Sequence, residues 1–312
     1  MQESGGGAGV IRMAASNRPT RPEAGIEWVE NAPLESLNSM GLRAATRLLA
    51  TVKSEEALVR FLEWAAAAGE EFVVLGGGTN VVFGDERLDL AILRLGGEFA
   101  EFAVEGDRIK AGAAVPLGRL VRAALEAGLA GLEQAWHIPG TLGGALIGNA
   151  GIPGWEIGDV VEWVETFDRT GRKRRFAASD LKFGYRQSNL AGEVVARASL
   201  ALEIEDPGQI ADRIEQTKAL RNRQPRGARS AGCIFKNPPG DAAGRLIDAA
   251  GLKGLRRGGA VVSPDHANFI VAESGATGKD VLALIDEIRH GVREKFGIEL
   301  ETEVRILRST TG

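Results

Sequence analysis

The chain has 312 residues, 44% of them hydrophobic and 26% charged, which is the composition of a soluble globular protein with room for two hydrophobic cores. Its formal net charge of −4 argues against a nucleic-acid binder, and no apolar run reaches the roughly 20 residues that a membrane-spanning helix needs. The single cysteine excludes an intramolecular disulfide and fits a reducing cytoplasm, so we expect a cytoplasmic protein without a membrane span.

The N-terminal segment is rich in glycine and polar residues. Residues 1–25 lack the continuous apolar core of a signal peptide, and we expect them to form a disordered tail. The sequence leaves open whether the native start is Met1 or Met13.

A β-α-β unit is predicted next. Ser54 is a suitable N-cap for a helix that continues to about Ala68, and Gly69 is suited to end it. Short apolar runs at 72–75 and 90–95 then predict two buried strands, the first of which ends directly in a glycine cluster.

Further elements follow in the middle of the chain. Pro116 and Gly128 bracket a predicted helix, and residues 160–167 predict a strand that enters a hairpin turn at 168–171. Between 194 and 204 the apolar residues recur at every second position, as in a half-buried strand.

A helix that begins at Asp206 and Pro207 gives the predicted domain boundary, with one domain at 26–205 and a second at 206–312. In the second domain we expect helices at 241–250 and 277–296. The last strand is predicted at 298–306, with one polar face formed by Glu299, Glu301, Glu303 and Arg305.

Two glycine clusters stand out among the 42 glycines, at 75–80 and 138–154. Glycine lets main chain approach a ligand closely, and glycine-rich loops with free N–H groups commonly hold phosphates. The first cluster could equally be a plain turn after a strand, and the second could serve the tight packing of two backbones. Together they favour a large nucleotide cofactor.

Four polar motifs carry candidate chemistry. Arg186, beside the only tyrosine, is either an exposed arginine or a group that holds a carboxylate or an enolate. Cys233 is either a structural thiol or a general acid, and Glu303 is one of three glutamates that spacing cannot separate. The arginine-rich run 221–229 is compatible with a solvated surface, a nucleic acid or a diphosphate substrate.

Taken together, the segments resemble the UDP-N-acetylmuramate dehydrogenase family, also called the UDP-N-acetylenolpyruvoylglucosamine reductase family. The similarity extends from about Ala32 to Leu307. It depends on the motifs LGGGTN, IPGTLGGALIGNAG with EIGD, FGYRQS, SAGCIFKNP, SPDHANFIV and FGIELETEVRI.

The resemblance implies an α+β fold, with an FAD-binding region of the vanillyl-alcohol-oxidase type followed by a C-terminal α+β substrate-binding domain. It implies non-covalent FAD, NADPH as reductant, UDP-N-acetylglucosamine enolpyruvate as substrate, and no metal. Arg186, Cys233 and Glu303 would be catalytic, with Arg186 and Glu303 polarising the substrate carboxylate and Cys233 donating the proton. A raised pKa is expected for Glu303, because an ionised carboxylate would repel the enolate.

The resemblance also implies which residues bind the ligands. The expected FAD-binding residues are Gly76, Gly77, Gly78, Thr79, Asn80, Pro139, Gly140, Thr141, Gly143, Gly144, Asn149, Ala150, Gly151, Gly158 and Asp159. The expected substrate-binding residues are Tyr185, Lys236, Asn237, Arg223, Arg226, His266 and Asn268.

The chain departs from the family pattern at a few positions. Cys233 stands where most members have serine, and His137 where many have glycine. No tyrosine lies between Arg186 and Cys233, so the chain resembles the short branch that lacks a tyrosine-bearing loop. A monomer is expected. Another FAD oxidoreductase of the same cofactor fold, or a catalytically silent nucleotide-binding protein, remains the alternative.

Overall fold

The structure is a computed structural model that describes residues 19–220, 225 and 227–309. Two expected substrate-binding residues, Arg223 and Arg226, lie outside the described residues, as does most of the expected tail. Among the described helices, none combines the length and the apolar character needed to cross a membrane.

Short strands dominate the architecture. The strands are β1 Ile26–Pro33, β2 Ala45–Val52, β3 Phe72–Val74, β4 Val81–Phe83, β5 Arg87–Leu95, β6 Phe102–Glu105, β7 Arg108–Gly112, β8 Leu129–Ala130, β9 Gly151–Ile152, β10 Trp155–Glu156, β11 Val161–Phe167, β12 Lys173–Ala177, β13 Phe183–Gly184, β14 Gln187–Ser188, β15 Val194–Ala201, β16 Glu203–Ile204, β17 Ser230–Cys233, β18 Arg256–Arg257, β19 Ala260–Val262, β20 Phe269–Ala272 and β21 Arg305–Leu307. The α-helices are α1 Glu55–Ala68, α2 Leu117–Glu126, α3 Leu142–Gly148, α4 Pro207–Leu220, α5 Ala243–Ala249 and α6 Gly278–Phe296. Single 3-10 turns lie at Glu35–Leu37, Gly97–Ala100, Glu133–His137, Ile157–Val160 and Ala178–Asp180.

The first sheet has the strand order β1-β2-β5-β3 and confirms the predicted β-α-β unit. Strands β2, β5 and β3 are parallel, and β1 adds an antiparallel edge. The Ser54 side chain caps α1 by accepting from the Ala57 N–H, and Gly69 ends the helix in the left-handed conformation. Because β3 ends at Val74, the glycine cluster at 75–80 leaves the carboxyl edge of this sheet.

The second sheet is antiparallel, with the order β12-β11-β15-β7-β6. The predicted turn at 168–171 joins β11 to β12, and the alternating segment forms the central strand β15. Helices α2 and α3 cover this sheet, and their buried faces include Leu120 and Leu146. The second glycine cluster, which contains α3, therefore lies against the second sheet while the first cluster leaves the first sheet.

Helix α4 packs with the second sheet. Ile210 and Ile214 share a core with Leu129 and Ala135, and Arg213 donates to the nearly buried carboxylate of Glu133 at 2.8 Å. The boundary expected at 205/206 would separate this helix from its own core. We therefore propose that the C-terminal domain starts after α4.

The C-terminal domain is built on an antiparallel sheet of order β17-β20-β19-β18, covered by α5 and α6. The helix predicted at 277–296 is α6, which starts at the Thr277 capping box and ends at left-handed Gly297. Met40, Leu42 and Val82 of the first domain belong to the same hydrophobic core, so the two domains are packed together.

The prediction of one continuous strand at 298–306 is wrong. Within that range only residues 305 and 306 belong to a strand, β21. Residues 301–303 pair with the segment after Cys233, whereas β21 pairs in parallel with β4. The change of partner requires a bend at the buried Val304. Consequently the three glutamates do not share one solvent face. Glu299 lies near Arg289, Glu301 binds Lys236 and Glu303 binds Arg186.

The docking of α4 can be tested at Arg213. Its guanidinium bridges Glu133, which is 3% exposed, and Glu205. We expect Arg213→Met to lower the free energy of unfolding by about 2–3 kcal/mol, because it leaves the Glu133 carboxylate buried without its cation. The measurement is urea unfolding.

Arg245→Met is the matched control, since it removes an exposed pair with Asp241 within one helical turn, and little change is expected. An equally small effect of Arg213→Met would contradict the docking of α4 through this pair.

Candidate active site

The two glycine clusters touch each other. A Cβ on Gly77 would lie 3.0 Å from the Gly140 Cα, and one on Gly76 would lie 2.6 Å from the Thr141 hydroxyl oxygen. The Thr79 hydroxyl donates to the Pro139 carbonyl at 3.3 Å. Close packing of two backbones, which the sequence left open, is therefore one reason for these glycines.

The first cluster also has the chemistry of a phosphate cradle. Gly78 has a φ of +62°, and a Cβ there would lie 2.0 Å from the Leu37 carbonyl oxygen. Within the described parts of the chain, the N–H groups of Gly76, Gly77 and Gly78 meet no protein acceptor. Consecutive free N–H groups on a curved backbone bind anions. The loop therefore fits the diphosphate of a dinucleotide such as FAD.

Two expected FAD-binding glycines lie in the short helix α3. A Cβ on Gly143 would lie 2.9 Å from the Ala113 Cβ, so this residue packs the helix against the second sheet. Gly144 is exposed beside Thr141. Of the two, Gly144 is the one that faces open space near the touching loops.

The segment that follows α3, residues 149–159, is stabilised by side-chain hydrogen bonds. Asn149 is buried, accepts from the Gly158 N–H at 3.2 Å and donates to the Gly184 carbonyl at 3.1 Å. Asp159 accepts from the Glu156 N–H at 2.8 Å. The Asn149 side chain thus ties the end of α3 to the hairpin before Arg186. Contacts of FAD with 149–151, Gly158 and Asp159 remain a proposal.

Arg186 lies in the tight hairpin of β13 and β14, in which Gly184 pairs with Gln187. Its φ of +57° is in the left-handed region, which favours glycine. The guanidinium donates from Nε to Glu303 Oε1 at 2.8 Å and from Nη2 to the Gly151 carbonyl at 3.1 Å. It also lies 5.1 Å from the centre of the Tyr185 ring. Three contacts thus hold an arginine in a backbone position that disfavours it.

Cys233 lies at a bulge in β17. Ser230 pairs with Val271 and Cys233 with Phe269, so an extra residue is accommodated between the two pairs. Gly232, with a φ of +78°, supplies the required backbone conformation. Bulges of this kind re-aim a side chain and are frequent beside active sites.

Residues 230–236, which we name the thiol strand because they contain Cys233, pair at their C-terminal end with the segment that contains Glu303. Lys236 N–H donates to the Glu301 carbonyl at 2.9 Å, and Glu303 N–H donates to the Ile234 carbonyl at 2.8 Å. Asn80, from the first glycine cluster, donates from its side chain to the Glu303 carbonyl at 3.2 Å. Residues from the predicted cofactor loop, the thiol strand and the last segment therefore meet at Glu303.

Glu303 is largely buried, and burial raises the pKa of its carboxyl above the usual 4.5. The nearby cations of Arg186 and Lys236 act in the opposite direction without cancelling the effect of burial. The structure agrees with the direction that the sequence analysis expected. A carboxyl of this kind can carry a proton closer to neutral pH.

Tyr185, Lys236 and Asn237 form a polar rim around this site. The Tyr185 hydroxyl accepts from the Asn237 N–H at 3.2 Å, and the ring is 45% exposed. Asn237 Oδ1 accepts from the Ala243 N–H at the start of α5. Lys236 forms an ion pair with exposed Glu301, which a bound anion could replace.

His266 and Asn268 lie on the loop before β20. Burial lowers the pKa of His266, and its Nδ1 accepts from the Asn268 N–H at 3.3 Å. Asn268 is 3% exposed, and both ends of its side-chain amide bind the Phe235 main chain. The Asn268 side chain is buried with both polar atoms hydrogen-bonded, which leaves it little surface to offer a substrate, whereas His266 is only partly buried.

Ser39 was not identified from the sequence. Its hydroxyl donates to the Ser230 carbonyl at 2.6 Å, and its N–H donates to the Gly78 carbonyl at 3.0 Å. It thereby links the first glycine cluster to the thiol strand. The local signal was a polar Asn38–Ser39 pair between Leu37 and Met40, which is too common to mark a site.

The backbone strain at Arg186 gives a first prediction for the site. Arg186→Gly and Arg186→Ala both remove the guanidinium, and we expect each to reduce turnover at least about 100-fold. The glycine variant should be more stable than the alanine variant by about 1 kcal/mol, because only glycine accepts a positive φ without a Cβ clash.

Thermal unfolding of the two variants measures this difference, and since both lose the same ion pair, the comparison isolates the backbone. A glycine variant that is less stable than the alanine variant would contradict a left-handed Arg186.

The Glu303 carboxyl gives a second prediction, in the pH dependence of stability. A raised pKa in the folded state contributes stability that is present below the usual value of 4.5 and is lost as pH rises through the folded pKa. Glu303→Gln should therefore become progressively more stable relative to the unmodified protein across that window, and the gap should level off above it.

Urea unfolding from about pH 4 to about pH 8 measures the gap. Glu299→Gln, an exposed glutamate of the same segment, is the control and should give a curve parallel to that of the unmodified protein. Parallel curves for Glu303→Gln would refute the raised pKa.

Comparison with known proteins agrees with this geometry. Residues 46–177 match the family model described as "FAD binding domain", and residues 224–307 match "UDP-N-acetylenolpyruvoylglucosamine reductase, C-terminal domain". These matches confirm the expected order of an FAD-binding region and a C-terminal domain in a mixed α and β fold.

Individual relatives cover almost the whole chain. The UDP-N-acetylenolpyruvoylglucosamine reductase of Alkalilimnicola ehrlichii is 46% identical over 297 residues, covering 95% of this chain and 98% of the relative. That of Heliobacterium modesticaldum is 38% identical over 290 residues, covering 92% of each. The crystal structure of the reductase from Thermus caldophilus is 39% identical, with a TM-score of 0.79, and covers 90% of this chain and 98% of that one. The chain therefore belongs to the UDP-N-acetylenolpyruvoylglucosamine reductase family of flavin-dependent oxidoreductases.

Proposed function

We propose that this chain uses NADPH and FAD to reduce UDP-N-acetylglucosamine enolpyruvate to UDP-N-acetylmuramate, a step of peptidoglycan precursor synthesis. The observation that carries the proposal is the convergence of Arg186, Glu303 and the Cys233 strand beside the first glycine cluster. A cation, a carboxyl of raised pKa and a proton donor are the groups that reduction of an enolpyruvyl group requires. NADPH and the enolpyruvyl UDP-sugar are cytoplasmic metabolites, so we propose a cytoplasmic location. We also propose that the protein is a monomer.

FAD, held by the glycine clusters at 75–80 and 138–154, would supply the hydride chemistry, with NADPH as reductant. Addition of a hydride to the terminal carbon of the enolpyruvyl group would move the electron pair of the double bond towards the carbon that bears the carboxylate. The product of this transfer is an enolate. Stabilising that charge is the task of the protein.

Arg186 is the cation placed for this task. A guanidinium can bind a carboxylate through two N–H groups. Its present partners, Glu303 and the Gly151 carbonyl, hold it in a fixed orientation. The left-handed backbone conformation of Arg186 also restricts the direction in which its side chain leaves the hairpin.

Glu303 would act as a neutral hydrogen-bond donor. Burial favours its protonated form, and a protonated carboxyl can donate to the substrate carboxylate as enolate charge develops. An ionised Glu303 would instead repel the same charge. The balance between burial and the Arg186 cation therefore bears directly on catalysis.

Cys233 would donate the proton that completes the reaction. The thiol proton goes to the carbon beside the carboxylate, the enolate electron pair forms the new C–H bond, and the thiolate is reprotonated from solvent. A thiol is a stronger acid than the serine hydroxyl found in most members of the family, so donation stays feasible.

The uridine diphosphate would be bound by the polar rim. Lys236 could exchange Glu301 for a phosphate, and Tyr185 offers an exposed ring and hydroxyl. His266 and Asn237 complete this part of the proposal, together with Arg223 and Arg226, which lie outside the described residues. We assign Asn268 no substrate contact, because its side chain is buried and hydrogen-bonded to the Phe235 main chain.

An anaerobic absorbance titration tests the function. We expect NADPH to bleach the flavin of the purified protein and the enolpyruvyl UDP-sugar to restore the colour. Recovery only with oxygen would identify an oxidase, and a protein that takes up no FAD would contradict the cofactor assignment.

Two Cys233 variants in the same titration test the proton donor. Cys233→Ala should leave bleaching by NADPH unchanged and lower turnover by about 10²–10⁴-fold, which is the usual contribution of a positioned general acid. Cys233→Ser keeps a donor and should retain substantial activity. Normal turnover in the alanine variant would exclude Cys233 as the donor.

A further inference from the structure

We propose that Asn268 is a positioning residue that fixes the thiol of Cys233 relative to Glu303 without touching the substrate. The proposal assumes the catalytic roles given above for Cys233 and Glu303. It departs from the expectation that Asn268 binds the substrate.

The thiol strand changes partner immediately after Cys233. Up to that residue it pairs with β20, and the Ile234 N–H still donates to the Asn268 carbonyl at 2.9 Å. From Ile234 onward its main chain bonds to residues 301–303 instead, with Phe235 opposite Thr302. Cys233 and Glu303 are therefore joined across a switch between two ladders.

At this switch the main-chain groups of Phe235 that face β20 have no strand to pair with, because β20 begins only at Phe269. The Asn268 side chain takes the place of the missing residue. Its Oδ1 accepts from the Phe235 N–H at 2.9 Å, and its Nδ2 donates to the Phe235 carbonyl at 2.8 Å. A primary amide reproduces both halves of a peptide group, so one side chain extends the ladder by one step.

The beginning of the strand is anchored independently. Ser39 donates to the Ser230 carbonyl, and Arg229 donates to the carbonyls of Met40 and Gly41. With that end fixed, the Asn268 amide determines where the chain leaves β20. The amide therefore sets the position of Cys233 between the two glycine clusters and Glu303.

The surroundings of Asn268 favour positioning over substrate binding. Its side chain is 3% exposed, and both polar atoms are engaged by Phe235. The second N–H and the second lone pair of the amide are buried with the side chain, so a substrate would have to enter the protein interior to reach them. Its neighbour His266 is the partly buried group of this loop, so the two residues have different roles.

The test compares Asn268→Leu with Ile288→Ala in the FAD-loaded protein. Leucine keeps the branched shape of asparagine, although it is larger, and removes both hydrogen bonds. Ile288 is 1% exposed in α6 and belongs to the same core as Phe235, so its truncation destabilises the domain while both hydrogen bonds between Asn268 and Phe235 are kept. The readouts are hydrogen exchange at 234–236, alkylation of the single cysteine by iodoacetamide, and the two half-reactions.

For Asn268→Leu we expect exchange at 234–236 to rise at least about tenfold and alkylation of Cys233 to change, relative to Ile288→Ala. Reoxidation by the enolpyruvyl UDP-sugar should slow at least about tenfold, with flavin reduction by NADPH and the affinity for the sugar unchanged. Three results would overturn the proposal. These are unchanged exchange and alkylation, a loss of reoxidation rate that is equal in Ile288→Ala, and a loss of affinity for the sugar alone.

The exchange and alkylation measurements do not depend on turnover. If the unmodified protein failed to react with the sugar, the proposed function would fail, and these two measurements would still decide whether Asn268 positions the thiol strand.

Discussion

The site depends on one partly buried ion pair, between Arg186 and Glu303. Each partner comes from a different domain, and each is held by main chain: Arg186 by the Gly151 carbonyl and Glu303 by its ladder to Ile234. Burial makes ionised Glu303 costly, while the guanidinium favours it, and burial prevails in the direction of the pKa. The pair is therefore poor at stabilising the fold and well suited to exchange a proton or a carboxylate partner. Domain packing that keeps these two side chains together also defines the catalytic geometry.

Close main-chain contacts bring the two glycine clusters of the site together. The two glycine clusters approach each other so closely that a Cβ on Gly77 would lie 3.0 Å from the other backbone. The same absence of side chains leaves N–H groups available for a diphosphate. Packing and cofactor binding are competing explanations of the glycines at the level of sequence, yet one backbone geometry serves both.

Much of the fold follows from local sequence patterns, and the failures have a common physical origin. The helix bounded by Ser54 and Gly69 was predictable, because caps act within a few residues. The strand predicted at 194–204 was correctly located, but β15 ends at Ala201 and is buried on both faces rather than half-buried, because it is the central strand of its sheet. The strand at 298–306 and the place of α4 were not predictable, because each depends on a partner distant in sequence. Glu303 could not be separated from Glu299 and Glu301 by spacing, since what distinguishes it is burial beside Arg186. The roles of Ser39 and Asn268 likewise consist of bonds to remote main chain, which no local pattern announces.

Cys233 stands where the family resemblance predicts serine, and the structure explains why either residue fits. The groups that fix the position of residue 233 differ from the side chain that it carries. The location of this residue is set by the bulge at Gly232, by the ladder to 301–303 and by the amide of Asn268, none of which involves the Cys233 side chain. A substitution at 233 therefore changes the side-chain atom without moving the backbone that carries it. The sulfur is larger and a thiol is a stronger acid than a hydroxyl, so the proposed proton donation would change in strength while its direction towards the substrate is retained. A site in which groups other than the side chain at 233 fix its position can accept either proposed donor.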